Sequence, residues 1–263
     1  MRLEQAEFVL AELLELAPSG LEEVQIGADI VEYALYGAPG ELPALPELSA
    51  AAGGALVEVR TEEIAEDWVD RWRQFHRPVV VGDTLTVRPP WEPPGQTAID
   101  VVIDPGQAFG TGAHPTTRLC LELMASLPAR EMFLDLGCGS GVLAIAAAKL
   151  GWTPVLAVDN DARSIEATRA NAKVNGVAVQ VRRLDLRRED LPGAPTVAAN
   201  LLGPLLHQWL ARLPVATTER VIASGLLTHE ADGLACAFAS RGLPEAARRV
   251  RGEWAALLLA RPR

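Results

Sequence analysis

The sequence predicts an α/β protein with a doubly wound, mostly parallel sheet that ends in an antiparallel hairpin, preceded by a small α+β domain. From residue 98 onward, short apolar runs alternate with helical segments, which is typical of a parallel sheet covered by helices. The last two apolar runs, 245–251 and 253–260, are separated by too few residues for a helical crossover. They are therefore expected to pair antiparallel. At 263 residues the chain is long enough for one large domain and one small domain.

The first 60 residues predict the small α+β domain, and residues 61–94 predict a linker with a helix. The predicted elements of the small domain are a helix at 3–16, strands at 21–26 and 30–36, a helix near 47–52 and a strand at 55–60. In the linker, residues 61–75 have a helical pattern, and short strands are predicted at 79–81 and 84–87. The stiff proline-rich stretch 89–94 then marks the domain boundary.

Residues 95–263 predict the large domain. The predicted order is strand 98–103, helix 115–127, strand 131–136, helix 141–150, strand 154–159, helix 161–174, strand 178–183, strand 196–199, helix 203–212, strand 220–224, helix 228–240 and strands 245–251 and 253–260. Because most consecutive strands are joined by helices, these strands are expected to lie parallel in one sheet with helices on both faces.

Three alternating glycines, Gly137, Gly139 and Gly141, separate a buried strand from a helix in this pattern. Glycine lets the backbone adopt positive φ and approach a ligand closely beside a helix N-terminus. The loop has three interpretations: an ordinary tight βα turn, a dinucleotide-binding loop, or a loop that binds S-adenosylmethionine. A dinucleotide fingerprint requires another glycine where this chain has Val142.

Two carboxylates favour S-adenosylmethionine as the cofactor. Asp135 lies two residues before the first glycine, where it can organise the loop and meet the cationic amino end of the ligand, directly or through water. The same charge would repel the pyrophosphate of NAD. Asp159 ends the next strand, about twenty residues past the glycines, where a carboxylate can accept hydrogen bonds from both ribose hydroxyls.

The glycine loop and Asp159 resemble the first two motifs of class I S-adenosylmethionine-dependent methyltransferases, whose fold is Rossmann-like. The run from Asp104 to Thr117 resembles the segment that marks the ribosomal protein L11 methyltransferase family, and residues 199–202 are similar to that family's fourth motif. Residues 66–72 and 89–91 resemble the segment that joins its two domains. The family usually opens with a strand, whereas this sequence is predicted to open with a helix.

The resemblance implies an enzyme that methylates lysine side chains or the N-terminal amine of ribosomal protein L11, without a metal. Methyl transfer from a sulfonium mainly requires alignment of an amine lone pair and exclusion of water. Asn200 is the predicted catalytic residue, because its amide oxygen can accept a hydrogen bond from the amine; the alternative is a turn cap at a strand end. His114 is a candidate base; alternatively, it caps the helix that follows it or packs beside the loop.

Further side chains are predicted to contact the cofactor. Thr116 begins a helix, where a hydroxyl and free amides can meet the cofactor's carboxylate. Phe109 is expected to line the cofactor site, or to pack within the loop to which Phe109 itself belongs. Asp185 follows a strand and could accept a hydrogen bond from the adenine amino group, or be a solvated turn acid. Asn200 also lies at the predicted cofactor crevice.

The distribution of charge indicates the class of partner. Residues 1–100 hold 6 basic and 19 acidic side chains, whereas residues 101–263 hold 18 basic and 15 acidic ones. An acidic surface binds nucleic acid poorly, because phosphate contacts require lysine and arginine. It attracts a basic protein such as L11, although acidity can also serve solubility alone.

The sequence also limits the cellular location and the chemistry. No apolar stretch is long enough to span a membrane and no secretory signal is present, so cytoplasmic location is expected. The three cysteines match no metal-ligand spacing. Two other functions stay open from the sequence. One is a methyltransferase of the same fold that acts on a nucleic-acid base or a small amine, and the other is a non-catalytic module that binds S-adenosylmethionine.

Overall fold

The structure is a computed structural model that describes residues 21–25, 31–35, 48, 58–59, 77–104, 112–129, 131–190 and 192–262. The chain divides into two compact units, Met1–Arg71 and Trp72–Arg263. The predicted division into residues 1–60, 61–94 and 95–263 stays a prediction. Within the described ranges, no helix is long and apolar enough to cross a membrane.

The described part of the first unit is mainly a two-stranded antiparallel sheet. It is formed by β1 (Leu21–Gln25) and β2 (Val31–Leu35), which lie where the sequence predicted strands. Leu48 is helical, within the predicted helix 47–52, whereas Glu58 and Val59 are not in a strand. The predicted helices at 3–16 and 61–75 lie outside the described residues.

The second unit begins with a three-stranded sheet of β3 (Val79–Val81), β4 (Leu85–Arg88) and β5 (Ile99–Val102). Strand β4 pairs antiparallel with β3 and parallel with β5. The Arg88 guanidinium spans β4 and β5, since its Nε lies 2.9 and 3.0 Å from the two carboxylate oxygens of Asp100. The alternating pattern placed the strand at 98–103 in the main sheet, and this was wrong. Strand pairing is non-local, and here β4 provides the partner.

The main sheet has seven strands in the order β11-β12-β10-β9-β6-β7-β8. Its strands are β6 (Phe133–Leu136), β7 (Val155–Asp159), β8 (Gln180–Arg183), β9 (Thr196–Asn200), β10 (Arg220–Leu227), β11 (Glu245–Arg251) and β12 (Trp254–Ala260). Strands β6 to β10 are parallel, and β12 pairs antiparallel with both β10 and β11. The predicted parallel sheet with a terminal antiparallel hairpin is therefore confirmed.

Five helices in the described part of the second unit cover both faces of this sheet. They are α1 (Pro115–Ala125), α2 (Val142–Leu150), α3 (Ala162–Val174), α4 (Gly203–Arg212) and α5 (Ala231–Ala239). Successive strand residues point to opposite faces. Ala157 thus joins a core with residues of α1, α2 and α3, whereas Leu156 and Val158 join a second core with residues of α4 and α5. The sheet is doubly wound, as predicted.

Candidate functional site

The loop between β6 and α2 has backbone geometry that favours glycine. Gly137, Gly139 and Gly141 have φ angles of 72°, 51° and 84°, a region that residues with a Cβ rarely adopt. A Cβ built on Gly137 would lie 2.5 Å from Cδ2 of Leu201, the residue that follows Asn200. A larger residue at 137 would therefore require the Leu201 side chain to move, in addition to the strain of the positive φ.

Asp135 is buried beneath the glycine loop, with 1% of its surface exposed. Its Oδ2 accepts a hydrogen bond from the Ala144 amide at 3.0 Å, which fixes the start of α2. Among the described residues, none donates a hydrogen bond to its Oδ1. Burial raises the pKa of Asp135 to about 7, with a smaller contribution from the negative charge of Asp159, while the bond from Ala144 acts in the opposite direction. A cationic group near Oδ1 would favour the ionised form.

Asp159 is hydrogen-bonded to the glycine loop through the same carboxylate that was predicted to bind ribose. Its Oδ2 accepts from the Gly139 amide and its Oδ1 from the Asp161 amide, both at 3.0 Å. A carboxylate has about four acceptor positions, so each oxygen retains capacity for a ligand hydroxyl. Asp159 therefore orients the loop as well as ending β7, which the sequence did not indicate.

The N-terminus of α1 contains Thr116 and the histidine predicted as a base or a cap. His114 is the N-cap residue: its Nδ1 accepts from the Thr116 amide at 3.3 Å and lies 2.7 Å from Thr116 Oγ1. Burial lowers the pKa of His114, which favours the neutral ring. The ring also contacts Trp254 edge-on, with centroids 5.0 Å apart. Of the roles predicted for His114, the structure shows the helix cap.

Asn200 ends β9 and reaches the same helix terminus. Its Nδ2 donates to Thr117 Oγ1 at 3.3 Å, and no described residue donates to its Oδ1. The backbone beyond it is held in place because the Leu201 amide donates to the Ser224 carbonyl at 3.0 Å. A bulge in β10 follows Ser224, and a Cβ on Gly225 would overlap the Leu201 carbonyl. The bulge explains why β10 continues to Leu227, past its predicted end at residue 224.

Two predicted cofactor contacts remain, Asp185 and Phe109, and the structure describes only the first of them. Asp185 follows β8, and its Oδ1 accepts from both the backbone amide and the Nε of Arg187 at 3.0 Å. These bonds hold the pKa of Asp185 below its usual value. A surface cleft contacts it, lined by Asn160, Arg183, Asp185, Arg187, Arg188 and Glu189. Phe109 lies outside the described residues.

The structure brings the other predicted residues together at the carboxyl edge of the parallel strands. Asp135, Asp159 and Asn200 lie at or near the ends of β6, β7 and β9, and Gly137 and Gly139 lie in the loop that connects β6 to α2. In open α/β sheets this edge is where ligands bind. Trp254 is a neighbour of the site that the sequence did not indicate, because only the hairpin pairing brings it to His114. No group of three or more described His, Cys, Asp or Glu side chains could hold a metal ion.

The residues present fit S-adenosylmethionine. Asp135 Oδ1 accepts from no described residue and is suited to a cationic amino group, directly or through water, and Asp159 retains acceptors for ribose hydroxyls. The loop between them carries no bulky side chain at Gly137, Gly139 or Gly141, and it precedes the N-terminus of α2. A pyrophosphate would approach two carboxylates here, which argues against a dinucleotide.

Comparisons with known proteins agree with this geometry. A family model described as ribosomal protein L11 methyltransferase (PrmA) matches residues 22–262. Proteins named ribosomal protein L11 methyltransferase from Geobacter metallireducens, Geobacter sulfurreducens and Shewanella baltica strain OS195 are 41, 39 and 41% identical. These matches cover 73, 81 and 80% of this chain and 66, 73 and 75% of the relatives.

A solved structure shows the same fold. The crystal structure of ribosomal protein L11 methylase from Lactobacillus delbrueckii subsp. bulgaricus matches with a TM-score of 0.61 and 28% sequence identity, over 72% of this chain and all of that one. The mostly parallel seven-stranded sheet is that of class I methyltransferases. The match of the family model over nearly the whole chain, together with these relatives, shows that this chain belongs to the ribosomal protein L11 methyltransferase family.

Proposed function

We propose that this protein transfers methyl groups from S-adenosylmethionine to amino groups of ribosomal protein L11. The observation that carries the proposal is the orientation of Asn200. Its amide nitrogen donates to Thr117, so its oxygen is available at the carboxyl edge of the sheet, beside the glycine loop. Names of the relatives support L11 as the substrate.

The residues of the site divide into those that would hold the cofactor and one that would align the substrate. Asp159 would accept from the ribose hydroxyls, Asp135 would meet the amino group, and the amides at the start of α1 near Thr116 would meet the carboxylate. When bound, the cofactor supplies an activated methyl group on a sulfonium. Phe109 and Asp185 stay predicted contacts of the same ligand.

Asn200 would accept a hydrogen bond from the substrate amine, and the lone pair of the amine would stay directed at the methyl group of the cofactor. Its own orientation depends on Thr117, which is 1% exposed and belongs to α1. A primary amine has two N–H groups and a monomethylated amine has one, so either can donate to Asn200 while its lone pair faces the methyl group. A second methylation is therefore compatible with this arrangement, whereas a neutral dimethylated amine has no N–H left to donate.

The acidic first unit supports a basic protein substrate. Residues 1–71 hold 3 basic and 16 acidic side chains, and the remaining chain holds 21 basic and 18 acidic ones. Such a field steers a basic partner and speeds its association. We assign residues 1–60 to recognition of L11, 61–94 to the connection and 95–263 to methyl transfer, with the protein acting in the cytoplasm.

The test is methylation of L11 by the full-length chain with radiolabelled S-adenosylmethionine. We expect labelled L11 from the wild-type protein. Asn200→Ala should lower kcat by about 100-fold, the cost of a misaligned reactant, with cofactor affinity within about three-fold of wild type. Thr117→Val removes the acceptor that orients the amide and should also lower kcat, whereas Thr117→Ser keeps the hydroxyl and serves as the matched control.

Three other results of this assay would contradict the proposal or favour a different function. If Asn200→Ala methylates L11 at the wild-type rate at saturation, its alignment role is wrong. Wild-type methylation of RNA or a small amine but not of L11 would support another substrate. Cofactor binding without turnover on any of these substrates would support a non-catalytic module.

A further inference from the structure

One face of α3 carries three polar side chains that bind the backbone of two separate segments. Thr168, Asn171 and Asn175 are spaced by three and four residues, so they lie along one side of the helix. One of the segments is the glycine loop and the other is the end of β5, which leads to the family-specific run that begins at Asp104. These segments are far apart in sequence and reach each other through this helix face.

Asn171 is the member of the three that contacts both segments. Its Nδ2 donates to the Ser140 carbonyl in the glycine loop at 2.9 Å. Its Oδ1 accepts from the Asp104 amide at 3.1 Å. The residue is 3% exposed, so both halves of the amide are used in a buried position. A buried polar group that loses its partner is costly, and this makes the two contacts strong constraints on the backbone.

The two neighbours of Asn171 each bind a single segment. Thr168 Oγ1 donates to the Gly139 carbonyl at 2.9 Å and therefore contacts only the glycine loop. Asn175, the C-cap residue of α3, accepts from the Val102 amide at 2.9 Å and donates to the Val102 carbonyl at 2.6 Å, on β5, and to the Asn171 carbonyl of its own helix at 2.8 Å. Asn175 is thus a chemically matched side chain on the same helix that does not reach the glycine loop.

We propose that Asn171 is a positioning residue for the glycine loop that binds the cofactor. It holds Ser140, in the loop proposed to bind the cofactor, at a fixed distance from Asp104. Asp104 precedes α1 and Thr116 in the sequence. The glycine loop and the residues at the end of β5, up to Asp104, are then in register before the cofactor binds. This inference rests on the proposed binding of S-adenosylmethionine by the glycine loop.

The test compares Asn171→Asp with Asn175→Asp in the full-length protein. Each substitution keeps size and shape, retains an acceptor for the backbone amide, and replaces the amide donor by an oxygen that faces one carbonyl at Asn171 and two at Asn175. We expect Asn171→Asp to weaken binding of S-adenosylmethionine by about ten-fold, equivalent to one lost hydrogen bond. Its kcat at saturating cofactor should stay within about three-fold of wild type. Asn175→Asp should bind cofactor within about two-fold of wild type.

A second readout separates positioning from loss of stability. In Asn171→Asp, acidification protonates the new carboxyl group, which can then donate to the Ser140 carbonyl. Its affinity relative to wild type at the same pH should recover as the pH falls. Thermal unfolding of both variants identifies any shared loss of stability. If Asn171→Asp folds poorly, Asn171→Ser, which removes the donor to Ser140 without adding charge, replaces it in the comparison.

The inference fails if the Asn171 variants bind S-adenosylmethionine as tightly as wild type, or if Asn175→Asp weakens binding equally. It also fails if the affinity of Asn171→Asp does not recover at low pH, because the lost donor would then not be the cause. Absence of cofactor binding by the wild-type protein would overturn the proposed function itself, and it is distinguished from these results by the wild-type measurement.

Discussion

Asp159 offers the sharpest test of the cofactor site, because one carboxylate has both observed backbone contacts and a proposed contact with the ligand. It accepts from the amides of Gly139 and Asp161 at 3.0 Å and is proposed to accept from the ribose hydroxyls as well. Replacement by alanine would leave both amides without a partner and disturb the loop. Asp159→Asn is a better perturbation, since it keeps the shape and one acceptor oxygen.

The expected loss of cofactor affinity in Asp159→Asn follows from the hydrogen bonds that the carboxylate accepts. The oxygen of the substituted asparagine can accept from one of the two backbone amides. The NH2 group takes the place of the second carboxylate oxygen and cannot accept from the other amide or from a ribose hydroxyl. Hydrogen bonds to a charged group contribute about 1.5–3 kcal/mol each. Loss of one such bond to the ligand corresponds to about a 10- to 100-fold increase in Kd. The same factor is expected for S-adenosylmethionine and its demethylated product, which share the ribose.

The assay is titration calorimetry with both ligands, and Asp161→Asn is the matched control. Asp161 lies two residues away and caps α3 by accepting from the Arg163 amide at 2.9 Å. Asparagine is an equally good N-cap, so the control removes the same charge without altering the loop. We expect its Kd to stay within about two-fold of wild type. An unchanged affinity in Asp159→Asn, or an equal loss in Asp161→Asn, would refute the ribose contact.

Two further predictions concern protonation and the substrate. Because burial raises the pKa of Asp135 to about 7, a cationic ligand should lower that pKa and release protons near pH 6–7, but none near pH 9. Calorimetry in buffers of different ionisation enthalpy measures the release, and Asp135→Asn should abolish it; release that persists in this variant would assign it to another group. A chain that begins at residue 72 should still bind the cofactor and should lose methylation of L11, while added salt should raise the KM for L11 with the full-length protein. Methylation of L11 by the shortened chain at the full-length rate would leave the acidity of the first unit as a solubility feature.

The glycine loop shows how far a local pattern reaches. An apolar run, three alternating glycines and an apolar helix are consecutive in sequence, and the structure has the predicted strand, turn and helix there. The antiparallel hairpin was predictable for the same reason, since a connection of two residues allows no other pairing. The strand at 99–102 was predicted but assigned to the wrong sheet, because its partner β4 is decided by packing.

The sequence by itself determined the helices and strands of the second unit from residue 79 onward, the parallel sheet with its antiparallel end, and the residue types at the candidate site. These depend on short-range periodicity and on motif spacing. Only the tertiary structure decided which groups those residues contact. Asn200 meets Thr117, and Asn171 joins Ser140 to Asp104, across separations of 83, 31 and 67 residues. It also showed that Asp159 binds its own loop and that His114 caps a helix beside Trp254. Such contacts depend on how strands and helices pack, and no local pattern carries that information.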